Sequence, residues 1–234
     1  MNAKRTAVGC LVAVLLAGCR NERDAASVPP PPLPPAPPVA LPPAPVRLPA
    51  EVERPAAIPR EALAHRDNFI RIWRFYFQLA ESPTIGFSQV HQESGWRTDA
   101  KSAYASGMAQ FTPATAAQYA KLLPDEVRAR CPSTAGCPTD PNWALNALSL
   151  YDYNLHRGYG WAATADDRWR LTLAAYNGGA HWLERERARA NNSARWLDIA
   201  NACMRSVASC SENRNYPIKI LETWRPYYRI WLGL

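Results

Sequence analysis

The chain has 234 residues and a formal charge of +7, with 27 basic residues against 20 acidic, 22 prolines and six cysteines. Fourteen of the prolines fall between residues 29 and 59, which leaves 174 residues, 61–234, for one domain with a sizeable core. There the 20 basic and 16 acidic residues are scattered without the dense basic stripe that nucleic-acid binding needs, and the mild positive balance suits an anionic polymer or a membrane surface.

Lys4 and Arg5 precede an apolar run at 7–18. That run is too short to cross a membrane, which takes about 20 residues. A basic start, a short apolar stretch and small residues before a cut make residues 1–18 a secretory signal peptide. Leu16-Ala17-Gly18-Cys19 resembles the lipobox of bacterial lipoproteins, whose cysteine is acylated and becomes the new N-terminus. Cys19 is therefore the expected lipidation site and membrane anchor. Arg20 is not the Asp that sorting reads as inner-membrane retention, which points to the periplasmic face of the outer membrane, in a Gram-negative bacterium or its phage. Residues 19–60 then form a lipidated N-terminus and proline-rich linker. Proline fixes φ and removes a donor, so this segment is expected as a polyproline strut of about 3.1 Å per residue, roughly 95 Å fully extended.

From residue 61 onward, assigned as one domain to 234, the periodicity is helical almost throughout. Residues 60–80 carry Phe69, Ile70, Trp73, Phe77 and Leu79 at helical spacing. In the next helix Ile85, Phe87 and Val90 form an apolar stripe, and Glu93 falls on that same face, followed by Trp96 three residues later. A carboxylate on a buried stripe is either a helix end open to water or an acid whose proton is held by a partly apolar pocket. Long loops are expected near 97–111 and 124–140. Thr112-Pro113 opens a helix at 112–123, and Asp140-Pro141 opens another at 140–156. Helical patterns continue at 166–177, 180–190 and 215–234, with Gly178-Gly179 as a stop between two of them. No segment sustains a period of two, so the class is all-α.

Cys131 pairs in sequence with Cys137, and Cys203 with Cys210. An exported chain sits where disulfides form. Three pairings are open to four cysteines, and local closure of both loops is favoured; each loop would stabilise by about 2–2.5 kcal/mol. The spacings do not suit zinc, and His65, His91, His156 and His181 stand apart from the cysteines. No metal and no cofactor is expected.

Four blocks follow one another over about 125 residues: Glu93-Ser94-Gly95-Trp96, then Ser102 with Gly107-Met108-Ala109-Gln110-Phe111-Thr112-Pro113, then Ala175-Tyr176-Asn177-Gly178-Gly179, then Glu212-Asn213-Arg214-Asn215-Tyr216. In this order they resemble the soluble lytic transglycosylases, a glycoside hydrolase family 23 type with a lysozyme-like (goose-type) fold. The chain departs from that pattern at Ala109, where Met is usual, at Asn213, where Thr is usual, and by one residue fewer between Glu93 and Gly107. The two cysteine loops have no counterpart in the motif.

The resemblance implies that Glu93 is a single catalytic acid/base cleaving the MurNAc-(β1,4)-GlcNAc bond of peptidoglycan with formation of a 1,6-anhydro ring. A pair of carboxylates would have to lie about 5–9.5 Å apart, and after Asp99 no acid occurs until Asp125. Ser94, Gln110, Tyr176, Asn177 and Glu212 match substrate-binding positions, with Glu212 orienting the cleft and Tyr216 packing. Asn177 also reads as a helix C-cap, and Trp96 as either a sugar platform or a core aromatic; His91 points off the face and reads as structural. The expected partners are glycan strands and, through Cys19, a membrane, with the protein a monomer. Two other readings remain: a goose-type lysozyme that hydrolyses with water, and a non-catalytic peptidoglycan-binding envelope lipoprotein.

Overall fold

The computed structural model describes residues 57–234. The signal peptide, the Cys19 anchor and nearly all of the linker lie outside the described residues.

Ten α-helices follow one another with no strand among the described residues: α1 (Arg60–Phe77), α2 (Thr84–Ser94), α3 (Pro113–Ala120), α4 (Asp125–Arg130), α5 (Pro141–Gly158), α6 (Ala165–Gly178), α7 (Ala180–Arg189), α8 (Trp196–Asn201), α9 (Val207–Ile218) and α10 (Arg225–Leu232). A π-helical turn, Lys219–Trp224, joins α9 to α10. The all-α expectation holds. The N-caps read from sequence are in place: Thr112 Oγ1 accepts from the Thr115 N–H at 3.2 Å and Asp140 Oδ1 from the Trp143 N–H at 2.7 Å. Three boundaries differ. The first helix stops at Phe77, where Gln78 turns left-handed, and this leaves Leu79 exposed. The last pattern is not one helix, because Pro217 removes a backbone donor inside α9 and the chain widens into the π turn. The packed region also reaches back past residue 61, since Ile58 is entirely buried in the core.

Helix α2 is the centre of the fold. Thr84 through Val90 are all buried, enclosed by α1, α10 and the π turn. Gly86 permits the close approach of α1: a Cβ there would strike Trp73 and Phe69. Helix α5 packs on α1 and α6, and α6 carries two cores. Trp169 and Leu173 join the main one, while Leu171, Ala174 and Ala175 meet Leu183, Trp196 and Ile199 of α7 and α8 in the second. Among the described residues, no helix is long and apolar enough to cross a membrane.

Both cysteine pairs close locally, Cys131 to Cys137 and Cys203 to Cys210. The first loop supports the segment 97–111. Gly107, at φ 79°, lies so close to the Pro138 carbonyl that no Cβ fits.

Candidate active site

Glu93 lies in the last turn of α2, two residues before the left-handed Gly95 that ends the helix. Trp96 follows, also at positive φ, 69°. So bulky a residue holds that conformation only under strong constraint. Its indole is wholly buried, packed on Phe69 and Phe87, and Nε1 donates to Tyr228 Oη at 2.7 Å. Trp96 is therefore a core residue rather than a sugar platform. Its burial fixes where α2 stops and so where Glu93 points. His91 stacks on Trp224, 4.0 Å between ring centroids, with Nδ1 3.0 Å from the same Tyr228 hydroxyl, in line with a structural role.

Glu93 opens into a cavity of about 510 Å³ that is also lined by Gln92, Asn177, Glu212, Tyr216 and Lys219. Desolvation by the surrounding protein raises the pKa of the Glu93 carboxyl from 4.5 to about 8. The Tyr216 hydroxyl donates to Glu93 Oε1 and works against that rise, while the negative charge of Glu212 adds to it. Burial holds the Tyr216 phenol well above its ordinary value, and the neighbouring Glu93 charge pushes the same way, so it stays a donor. The sequence had assigned Tyr216 to packing. Its ring is indeed buried, but its hydroxyl is the group that orients the acid.

Three of the sequence-selected residues converge on a single stretch of backbone. Gln110 Nε2 donates to the Gly107 carbonyl at 2.8 Å, Ser94 Oγ to the Met108 carbonyl at 2.8 Å, and Tyr176 Oη to the Ala109 carbonyl at 2.7 Å. Three consecutive carbonyls thus receive one side chain from each of three motif blocks. Ser94, Gln110 and Tyr176 are not among the residues lining the Glu93 cavity, and their donors hold its neighbouring loop in shape.

Asn177 and Glu212 do line the cavity, and Asn177 Nδ2 lies 3.5 Å from Glu212 Oε1. Asn177 is not the C-cap of α6, which continues to Gly178. Its Oδ1 accepts from Asn213 Nδ2 at 3.1 Å. Asn213 accepts in turn from Arg205 Nη2 at 2.7 Å, and Arg205 Nε pairs with the buried Glu186 at 3.0 Å. Arg205 lies inside the Cys203–Cys210 loop. The Asn213 departure and the second cysteine loop are thus parts of one arrangement, which ends on a cavity residue.

Other carboxylates come near Glu93 from distant parts of the sequence. Asp99 is exposed and outside the cavity. Glu212 shares the cavity, while Asp152, from α5, lies inside the core, where burial holds its carboxyl well above the usual range and the Glu93 charge adds to the rise.

A model of the transglycosylase SLT domain matches residues 83–199, half of the chain. The chain belongs to the transglycosylase SLT-domain family. Among solved structures it is similar to the 70-kDa soluble lytic transglycosylase of Escherichia coli, at 23% identity and a TM-score of 0.48, over 70% of this chain and 24% of that one. The aligned region thus spans about a quarter of that protein's length. No curated protein matches. In this SLT-domain protein the matched stretch includes Glu93, the three-carbonyl loop and Asn177. It stops short of Glu212 and Tyr216, which the fold returns to the same cavity.

Proposed function

We propose that this SLT-domain protein is a peptidoglycan lytic transglycosylase in which Glu93 alone acts as acid and base. The observation that carries this reading is a carboxyl at the wall of an open polar cavity with a phenol fixing its orientation, in surroundings whose desolvation raises its pKa to about 8. An acid whose pKa lies near the working pH serves well both to give and to take a proton. Glu93 donates its proton to the glycosidic oxygen as the bond to C1 of the muramyl sugar breaks. The acetamido oxygen of the same sugar holds the developing positive charge. Glu93, now a carboxylate accepting from Tyr216, takes the proton of the muramyl 6-hydroxyl as O6 bonds to C1. The ring closes without water, and Glu93 is protonated again.

Asn177 and Glu212 are the proposed substrate contacts. Ser94, Gln110 and Tyr176 serve chiefly by shaping the loop on which the strand lies. Cys19 is the proposed lipid anchor, with residues 19–60 the spacer, at the periplasmic face of the outer membrane.

Glu212 gives one specific reason to keep a goose-type hydrolase as the second reading, because it brings another carboxylate to the cavity. The mass of the sugar ends released from purified peptidoglycan separates the two. Anhydro-muramyl ends are lighter by one water than reducing ends, and finding them supports the single-acid reaction. Reducing ends that disappear in Glu212→Gln would replace it with hydrolysis.

A further inference from the structure

Asp152 is entirely buried, and the proposed reaction does not use it. Its partner is Gln89, also entirely buried, one helical turn before Glu93 on α2. Gln89 Nε2 donates to Asp152 Oδ1 at 3.3 Å. Two polar atoms at this contact are left without a partner, Gln89 Oε1 and Asp152 Oδ2. If Asp152 were ionised, both would be acceptors with no donor, and the charge would be buried without a cation. Each of those faults alone is costly. The titratable groups facing Asp152 are Glu93 on α2, Tyr119 on α3, Tyr151 on its own helix, Tyr176 on α6 and Tyr216 on α9, and none of them supplies positive charge. His156, one turn further along α5, turns to Glu81 instead, at 3.4 Å. A single proton on Oδ2 removes the buried charge, and donating it to Gln89 Oε1 would give both unpartnered atoms a partner.

We propose that Asp152 is a protonated positioning residue, whose carboxylic acid and the Gln89 amide form a reciprocal two-bond pair that pins α2 to α5 one turn below Glu93. The pair has a second effect. When Glu93 is ionised midway through the reaction, the site carries no further buried negative charge behind it. This role rests on Glu93 being the acid, but the state of Asp152 does not, and the tests keep the two apart.

Infrared spectroscopy at neutral pH is the direct test, made in a Glu93→Gln background so that Glu93 contributes no proton. A protonated-carboxyl C=O band is expected in Glu93→Gln and its loss in Glu93→Gln/Asp152→Asn. Absence of the band from Glu93→Gln would overturn the proposal, whatever the activity of that variant. Asp152→Asn alone provides the functional readout, since its amide can make the same pair with Gln89 without charge. The expected result is an alkaline limb of kcat at the parent's pH and an unchanged Tm, whereas Asp152→Ala, which leaves Gln89 unpaired, lowers Tm. If Asp152→Asn shifts that limb down by about a pH unit or more, as removal of a nearby negative charge would, Asp152 is ionised in the native protein and the proposal fails.

Discussion

Replacing Glu93 by Gln separates its chemistry from its cost to the fold. Catalysis is expected to drop about 10²–10⁴-fold, the usual contribution of a general acid or base, measured as release of soluble sugar from peptidoglycan. Stability should move the other way. The native pKa, about 8, lies above the ordinary 4.5, so the parent loses stability as pH rises from 4.5 through 8 while the glutamine variant does not. Tm of Glu93→Gln is therefore expected to match the parent below pH 4.5 and to exceed it increasingly up to pH 8; parallel Tm curves would refute the buried-acid reading. Tyr216→Phe removes the bond that favours the ionised form, so the alkaline limb of kcat should move to higher pH while kcat falls. At this scale the carboxylate of Glu93 on an apolar stripe left two readings open, a solvated helix end or a held acid, and only the four motif blocks together pointed to Glu93. Tyr216 was misread, because sequence locates a ring but not the destination of its hydroxyl. Asp152 and Gln89 were not read at all. They lie 63 residues apart and look like ordinary polar positions until the fold brings them together.

Long helices were recovered from their period, except that α9 was recognised only from residue 215, because its first turns, VASCSENR, carry almost no apolar repeat. The six-residue α4 and α8 were not recovered, since under two turns give no repeat to detect. What fixes the site is how elements meet, and Gly86 tests this. Alanine is favoured over glycine inside a helix by about 1 kcal/mol, but here its methyl would press on Trp73 and Phe69, an overpacking cost of about 1–3 kcal/mol. Gly86→Ala is thus expected to lower Tm. The two disulfides make a second comparison. Cys131→Ser/Cys137→Ser and Cys203→Ser/Cys210→Ser should each lose about 2–2.5 kcal/mol in chemical denaturation. The second pair should also raise KM, because Arg205 lies in that loop and holds Asn213, and through it Asn177. Equal KM in the two double variants would show that the chain of contacts does not reach the substrate.

For the molecule as a whole, the all-α class was plain from the sequence, while its limits were less so. A border at residue 61 followed the prolines, yet Ile58 packs in the core between Pro55 and Pro59. A chain beginning at 61 should therefore unfold at lower temperature than one beginning at 57, by a stability loss on the order of the 2–5 kcal/mol that large-to-small core changes cost. Cys19→Ala, expressed with its signal, is expected to pass from the detergent-rich to the aqueous phase on detergent partitioning; no change would remove the lipid anchor from the proposal. The seating of Ile58 has a mechanical consequence. If the leader is held at one end while the cavity grips a glycan strand, tension along the chain is delivered to a side chain wedged in the core, not to a free swivel. It then passes into α1, whose Phe69 and Trp73 bear directly on the helix that carries Glu93.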